Sequence, residues 1–91
     1  MTHVEIYTWS TCPFCHRAKK LLDRKGVTYT EYNIDDDETA RDIMVARGTN
    51  GQRTVPQIFI DDRHIGGSDD LYRLEAQGEL ERLLNKVGVG A

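Results

Sequence analysis

The sequence lacks the features of a membrane, secreted or nucleic-acid-binding protein. Its apolar runs are only a few residues long, so no segment is expected to span a membrane. Lysine and arginine together number 12 against 15 aspartates and glutamates, and the net charge of -3 excludes the basic excess of a nucleic-acid-binding surface. The opening stretch MTHVEIYT shows no charged-then-apolar leader pattern, which favours a cytosolic protein.

Cysteine is also scarce, and the two that are present lie close together. The chain has 91 residues, which predicts a single globular domain over 1–91 that we expect to be a monomer. Cys12 and Cys15 are its only cysteines, three positions apart in the stretch TWSTCPFCHRAKKLL. A reducing cytosol disfavours permanent structural disulfides, so this pair calls for another explanation.

Hydrophobic periodicity predicts the element order β-α-β-α-β-β-α. The predicted strands are 3–8, 27–34, 56–60 and 63–65, and the predicted helices are 13–25, 35–48 and a last one capped by Ser68 and interrupted at Gly78. A right-handed crossover should make the first two strands parallel, and Asp61-Asp62 should turn a hairpin between the last two. The prediction is therefore an α/β fold with a four-stranded mixed sheet and helices on both of its faces.

Three helical stripes are predicted to face the core, and that of the first helix comprises Cys15, Ala18, Leu21 and Leu22. The stripe of the second helix comprises Ala40, Ile43, Met44 and the aliphatic stem of Arg47; that of the last helix comprises Leu80, Leu83, Leu84 and Val87.

The position of the cysteines at a predicted helix start indicates thiol–disulfide chemistry. Pro13 suits the first helical position, which makes Cys12 the N-cap. The unpaired amides of Phe14 and Cys15 can then donate towards the Cys12 sulfur, and together with the helix dipole they favour its thiolate. We expect Cys12 to be the exposed nucleophile and Cys15, one turn later on the apolar stripe, to be the resolving thiol.

Two other interpretations of the cysteines stay open at the level of residues. They could be two small buried hydrophobic residues, although cysteine-proline-aromatic-cysteine at a helix start is not a core pattern. They could instead belong to a zinc site, but zinc usually takes four ligands and this pair supplies two. His16 is adjacent, whereas His3 and His64 are distant in sequence, and each is better explained as a surface or packing residue.

Three motifs in order make the chain resemble the glutaredoxins, specifically the small bacterial dithiol type. They are CPFC after VEIYT, then TVPQIFID, then IGGSDDL, and together they extend over nearly the whole chain. The resemblance implies a thioredoxin-like fold and reduction of disulfides and glutathione mixed disulfides, with glutathione as the electron source and no other cofactor or metal. It also implies a cis peptide bond before Pro56, facing the cysteine pair.

The same resemblance implies a glutathione site. It assigns Thr54 and Val55 to the peptide backbone of glutathione, and Gly67, Ser68 and Asp69 to its γ-glutamyl end. The chemistry of those residues is suitable, because a helix start binds a carboxylate and an aspartate accepts from an ammonium group. Asp69 and Asp70 could equally be there to complement the helix dipole.

A cation is needed for the glycyl carboxylate of glutathione. Arg53, just before TVP, is the candidate, with Gln52 in support; a solvated loop charge is the alternative for Arg53.

The chain departs from the pattern of the family at three positions. Trp9 stands where the family often has lysine, so a cation is missing and the indole could wall the site or simply pack on the surface. Ser68 stands where the family often has cysteine, which removes one source of unwanted disulfides. Phe14 replaces a common tyrosine and keeps the ring without the hydroxyl. Trp9 and Phe14 are both expected to contact glutathione.

Two rival functions share much of this pattern. A thioredoxin-like reductant served by a flavin reductase would show no glutathione-dependent turnover, and the TVP and GGSDD motifs disfavour it. An iron–sulfur carrier would hold a cluster between two subunits through Cys12 and glutathione, and Pro13 disfavours it because family members with clusters usually have a smaller residue there. The expected partners are glutathione and proteins that carry disulfides or glutathione adducts, with neither nucleic acid nor membrane among them.

Overall fold

The structure is a computed structural model that describes residues 2–84. Its strands are β1 (Val4–Thr8), β2 (Thr30–Asn33), β3 (Gln57–Ile60) and β4 (Arg63–Gly66). Its helices are α1 (Pro13–Arg24), α2 (Glu38–Ala46), α3 (Ser68–Ala76) and α4 (Glu79–Leu83). No helix in this part of the chain is long and apolar enough to cross a membrane.

The strands form one four-stranded mixed sheet, as predicted, and their order in it is β2-β1-β3-β4. β1 is parallel to β2 and antiparallel to β3, and β3 is antiparallel to β4. The two central strands, VEIYT and QIFI, are buried along their whole length, which is expected of strands covered on both faces. Asp61 and Asp62 both have positive φ, 51° and 65°, which matches the primed turn that joins two-residue hairpins.

Helices cover both faces of the sheet, which confirms the predicted layers. One core cluster joins the sheet to α1, α3 and α4; its buried members are Val4, Ile6, Ala18, Leu21, Leu22, Ile58, Ile60, Leu71, Leu80 and Leu84. The other joins the sheet to α2; its buried members are Tyr7, Ile34, Met44 and Phe59. The side chains of one strand thus serve both layers in alternation.

The structure corrects several predicted boundaries. β2 is shorter than 27–34, and α2 begins at Glu38 because the Asp37 carboxylate caps it, accepting from the Ala40 amide at 2.9 Å. Ile43 does not face the core: it is 55% exposed. Gly78 does interrupt the last helical segment, dividing it into α3 and α4. Val87 lies outside the described residues.

Arg47 fastens the C-terminal end of α2 to the sheet. Its guanidinium donates to both carboxylate oxygens of Glu5 on β1, at 2.7 and 3.1 Å, and lies 4.1 Å from the ring centroid of Phe59 on β3. It also pairs with Asp62 of the hairpin at 3.1 Å. The hydrogen bond from Arg47 lowers the pKa of the largely buried Glu5. One guanidinium therefore joins the end of α2 to β1, to β3 and to the turn between β3 and β4.

Candidate functional site

The site is built where β1 passes into α1. Ser10 holds the connecting loop in place, because its amide donates to the Asp35 carboxylate at 2.9 Å. Cys12 has extended backbone angles, φ -126° and ψ 105°, and Pro13 is the first helical residue. The Cys15 amide, one of the two expected donors, donates to Cys12 Sγ at 3.2 Å. Cys12 is therefore the N-cap of α1, as the sequence predicts, and its sulfur occupies the position of a capping oxygen.

The accessibility of Cys12 differs from the prediction. The sequence predicts an exposed nucleophile, but Cys12 is only 7% exposed, and Cys15 is 0% exposed. The reason is local: the side chain of Cys12 folds back onto the helix start, and its Sγ lies 3.8 Å from the Val55 carbonyl oxygen. Solvent therefore reaches Cys12 through a narrow opening and does not reach Cys15.

The acid–base chemistry of Cys15 is altered by its surroundings. Burial, followed by the interaction with Cys12, raises the pKa of Cys15 to about 12. Cys15 therefore stays a neutral thiol at physiological pH, a reservoir of one proton next to the Cys12 sulfur. Since a thiolate is the attacking form, Cys15 is poorly suited to attack first.

The loop that leads into β3 faces the cysteines, because the start of β3 pairs with the end of β1. Its Val55–Pro56 peptide bond is cis, as the resemblance implies. Pro56 is buried, and the Val55 carbonyl points at Cys12. This loop and the start of α3 enclose a hollow of about 220 Å³. The hollow is lined by Phe14, Gln52, Thr54, Pro56, Gln57, Gly67, Ser68, Asp69 and Asp70.

A polar chain centred on the buried Gln57 supports the wall of this hollow, and no pattern in the sequence predicts it. Gln57, on β3, is 1% exposed, and its amide lies 3.2 Å from Gln52 Oε1 and 3.4 Å from Thr54 Oγ1. Its other end lies 2.6 Å from His64 Nε2 on β4. Burial lowers the pKa of His64, so its neutral form is favoured. The position of Thr54 thus depends on two strands, which no pattern local to TVP could indicate.

The start of α3 differs from the prediction. Gly67, not Ser68, is the N-cap, and the Asp70 carboxylate accepts from the Gly67 amide at 3.0 Å. Asp70 is thereby engaged within the protein, and it also pairs with Arg73 at 3.2 Å, whereas Asp69 is exposed. Of the two aspartates considered for an ammonium group, Asp69 is the available one.

Ser68 is the unusual side chain at this helix start. The residue is 3% exposed, and its hydroxyl has no hydrogen-bond partner within residues 2–84. A buried hydroxyl without a partner is costly, so its position beside a hollow makes it a candidate contact for a bound molecule. Gly67 next to it leaves little spare room, since a Cβ there would lie 3.4 Å from the Pro56 carbonyl oxygen.

Trp9 lines a second, adjacent groove. This groove, about 510 Å³, is lined by Trp9, Ser10, Thr11, Asp35, Asp36, Glu38 and Arg41. Trp9 is 36% exposed, and the Arg41 guanidinium lies 4.6 Å from its ring centroid. The Nε of Arg41 is buried and unpaired among the described residues, and the nearest carboxylate oxygen of Glu38 is 3.9 Å from Nη1. Sequence reasoning missed Arg41, because α2 meets Trp9 only through the tertiary fold.

Arg53, the cation that the sequence put forward for glutathione, lies outside the lining of both hollows. Its guanidinium pairs with Asp42 and Glu38 of α2, each at 3.0 Å, and these carboxylates raise its pKa. The cation just before TVP is therefore already paired within the protein, and its contact with glutathione stays a prediction. Residues 38 and 42 are one helical turn apart, and this spacing lets α2 present two carboxylates to one guanidinium.

The site residues named from the sequence lie in four places. The hollow collects Phe14, Thr54, Pro56, Gly67, Ser68 and Asp69. Cys12, Cys15 and Val55 lie together at its edge, Trp9 lies in the adjacent groove, and Arg53 is apart. Within residues 2–84, no group of three or more His, Cys, Asp or Glu side chains could hold a metal ion.

Comparison with known proteins gives consistent results. The glutaredoxin family model matches residues 4–65. A probable glutaredoxin of Synechocystis is 62% identical over 82 residues, which cover 90% of this chain and 92% of that protein. Glutaredoxin 3 of Escherichia coli is 57% identical over 84 residues, covering 92% and 99% of the two chains.

Solved structures are similar as well. The solution structure of a Brucella melitensis glutaredoxin is 48% identical with a TM-score of 0.79, and the match covers 92% of this chain and 89% of that one. The crystal structure of a buckwheat glutaredoxin–glutathione complex is 30% identical with a TM-score of 0.83, covering 96% and 80%.

Proposed function

This chain belongs to the glutaredoxin family of glutathione-dependent oxidoreductases, and from that premise we propose that it reduces protein disulfides and glutathione mixed disulfides through Cys12 and Cys15. The observation that carries the proposal is the asymmetry of the pair. The Cys15 amide donates to the Cys12 sulfur, while Cys15 itself is buried and protonated. One sulfur is thus suited to attack and the other to act second.

The first route needs only Cys12. Its thiolate attacks the glutathione sulfur of a protein–glutathione mixed disulfide, forming a Cys12–glutathione disulfide and releasing the protein thiolate, which takes a proton from solvent. The thiolate of a second glutathione then attacks the glutathione sulfur of that adduct. Glutathione disulfide leaves, and Cys12 departs as a thiolate again. The net reaction consumes one reduced glutathione and converts the mixed disulfide to a protein thiol and glutathione disulfide.

The second route uses both cysteines. Cys12 attacks a protein disulfide and forms a mixed disulfide with the protein, releasing the first protein thiolate. Cys15 loses its proton and attacks Cys12 Sγ, so that the second protein thiolate leaves and a Cys12–Cys15 disulfide remains. Two glutathione molecules then reduce this disulfide. Burial raises the pKa of Cys15, so this thiol must lose its proton before it can attack.

The hollow and the groove are suitable for the two ends of glutathione. The N-terminus of α3, with the unpartnered Ser68 hydroxyl, suits the γ-glutamyl carboxylate, and the exposed Asp69 suits its ammonium group. Thr54 and Val55 would face the peptide backbone. For the glycyl carboxylate we replace Arg53 by Arg41, whose guanidinium lies on Trp9 in the adjacent groove.

The test compares Cys12→Ser with Cys15→Ser in a glutathione-coupled assay. With a small glutathione mixed disulfide as substrate, Cys12→Ser should lose activity by at least a thousandfold, because the attacking sulfur is gone. Cys15→Ser should keep activity on that substrate within about threefold and should fail on protein disulfides. Circular dichroism of both variants serves as the control for folding.

Equal losses in the two variants would contradict the assigned roles. We further propose the reducing cytosol as the compartment, because glutathione must be reduced there to regenerate the pair.

A further inference from the structure

The outer face of α1 carries a row of positive charge that the proposed chemistry does not use. Arg17, Lys20 and Arg24 are spaced at i, i+3 and i+7, so they lie on one face of the helix, and all three are exposed. We call them the α1 basic stripe. It begins five residues after Cys12 and extends to the end of the helix. The chain as a whole has a net charge of -3, so this face has the opposite sign to the whole molecule.

Among residues 2–84, most of the cations that lack a carboxylate partner lie on this stripe. Seven other cationic side chains have a carboxylate at salt-bridge distance: Lys19, Lys25, Arg41, Arg47, Arg53, Arg73 and Arg82. Among the residues that the structure describes, Arg17, Lys20 and Arg24 have none, and Arg63 is the fourth without one. Three adjacent cations without carboxylate partners create a local positive potential, which can attract an acidic partner.

The stripe borders a hollow that α3 completes. Tyr72 of α3 donates to the Arg17 carbonyl oxygen at 3.0 Å, and the Arg17 guanidinium lies 5.1 Å from the tyrosine ring centroid. Next to it, Lys20, Asp23, Arg24 and Tyr72 line a hollow of about 430 Å³. Asp23 is the one acidic residue of α1, and it reduces but does not cancel the charge of this hollow.

We propose that the α1 basic stripe docks an acidic segment of the protein that carries the target disulfide or glutathione adduct. This inference rests on the proposed function, since it concerns the second substrate of the same cysteine. At ~1.5 Å of rise per residue, Arg17 and Arg24 lie about 7.5 and 18 Å along the helix from Cys12. An extended chain advances about 3.3 Å per residue, so the acidic residues belong roughly two to six positions from the reacting cysteine of the partner.

The position of the stripe favours a protein over other anionic partners. Any molecule on the stripe lies along the helix that begins at Cys12, and the chemistry there requires a partner sulfur. The stripe has only three cations and one opposing aspartate, a smaller field than phosphate backbones or anionic membrane surfaces require. Carboxylates in an acidic peptide match both its charge and its length.

The test uses peptides that contain one glutathionylated cysteine, with Glu, Gln or Lys two to six positions away on either side. Activity is measured at about 0.01 M and about 0.15 M salt, between which the screening length falls from about 30 to about 8 Å. At low salt we expect kcat/KM for a Glu peptide to exceed that for the matching Lys peptide by about tenfold. The difference should shrink at the higher salt, because the stripe is exposed.

Variants locate the effect on the stripe. Lys20→Glu/Arg24→Glu should abolish or reverse the preference for Glu peptides. Arg63→Glu/Arg82→Glu changes the net charge by the same amount on other faces and should leave most of the preference intact. Arg17 is kept in both variants because it packs on Tyr72. All proteins are also assayed with a glutathione adduct of 2-mercaptoethanol, which is too small to reach the stripe.

Each result bears on one of the two proposals. No turnover of the small adduct by the unmodified protein would defeat the proposed function itself. Normal turnover of the small adduct with equal kcat/KM for Glu and Lys peptides would overturn the docking surface. So would an equal effect of both variant pairs, or tighter binding of a short DNA duplex than of the Glu peptide.

Discussion

At the scale of single residues, the site contains two buried polar atoms, one with a hydrogen-bond partner and one without. The Cys12 sulfur is satisfied by an amide of its own helix. The Ser68 hydroxyl is equally enclosed but has no partner among residues 2–84. A protein tolerates such an atom where a ligand will bind, because the ligand recovers the lost hydrogen bond.

Ser68→Ala should separate a ligand role from a structural one. Removing an unpaired buried hydroxyl should leave the free energy of unfolding unchanged or raise it by up to about 1 kcal/mol. The KM for glutathione should rise about fivefold, which corresponds to about one hydrogen bond. Chemical denaturation and steady-state kinetics measure the two effects.

Thr8→Val is the matched control, because it removes a buried hydroxyl that does have a partner, the Glu31 carboxylate at 2.6 Å. This variant should lose about 1 kcal/mol of stability. A comparable loss in Ser68→Ala, with KM unchanged, would assign Ser68 to the fold alone.

The residue scale also marks the limit of what the sequence could predict about the site. Cys12 and Pro13 are neighbours, so the cap of α1 and the order of the two thiols follow from local chemistry. The engagement of Arg53 by Glu38 and Asp42, and the stacking of Arg41 on Trp9, depend on where α2 packs. Local patterns contain no information about that packing, so they could not show that Arg53 is already paired.

At the scale of elements, the junction between α3 and α4 is set by one backbone conformation. Gly78 has φ +74° in the left-handed region, and nothing lies within 4 Å of a Cβ built on it. The turn lets α4 return Leu80 and Leu84 to the core cluster beside α1 and α3. The glycine is therefore needed for its backbone and not for space.

Gly78→Ala should destabilise the protein by about 1–2 kcal/mol, the cost of a left-handed conformation for a residue with a Cβ. Gly78→Asn should cost less, because asparagine tolerates this region better. Thermal unfolding measures both. Gln77→Ala, at the adjacent position with ordinary helical angles, is the control and should change stability by less than about 0.5 kcal/mol. If Gly78→Ala is as stable as the control, the junction does not need the left-handed conformation.

At the scale of the whole molecule, the Arg47–Glu5 pair holds the two layers in register. The pair lies between α2 and the centre of the sheet, with Glu5 nearly fully buried. Removing one partner of such a pair leaves a buried charge uncompensated. The stability of the protein should consequently depend on the protonation of Glu5.

Arg47→Met should lower the free energy of unfolding by about 3 kcal/mol at neutral pH, and Glu5→Gln/Arg47→Met should recover part of that loss. The pH dependence follows from the lowered pKa of Glu5. Below its ordinary value of 4.5, the unfolded chain takes up this proton before the folded one does, so stability falls as the solution is acidified.

Denaturation at a series of pH values checks this prediction. The unmodified protein should lose more stability between about pH 5 and pH 3 than the double variant, which lacks the titrating carboxyl. Arg82→Met, which breaks an exposed pair with Glu79, is the control and should cost no more than about 0.5 kcal/mol. An equal loss of stability on acidification in the unmodified protein and the double variant would contradict the role assigned to Glu5.

The fold was more predictable than the site because its evidence is distributed over many residues. Buried runs such as QIFI and the helical stripe of Ala18, Leu21 and Leu22 define strands and helices independently of one another. Errors arose where one side chain decides a boundary, as Asp37 does at the start of α2. Ile43 was assigned to the core because periodicity cannot measure how much of a helix its neighbours cover.

The enclosure of Cys12 has a consequence for which partners can react. Exchange at sulfur requires the attacking, central and departing sulfurs to lie nearly on one line. Because Cys12 is only 7% exposed and the Val55 carbonyl lies beside it, a partner disulfide can approach the sulfur only from a restricted direction. A disulfide lying flush with a rigid globular surface cannot adopt this collinear arrangement without steric collision. In such proteins the segment that bears the bond must first protrude or unfold locally. This protein should therefore distinguish its partners by their conformational state as well as by their sequence.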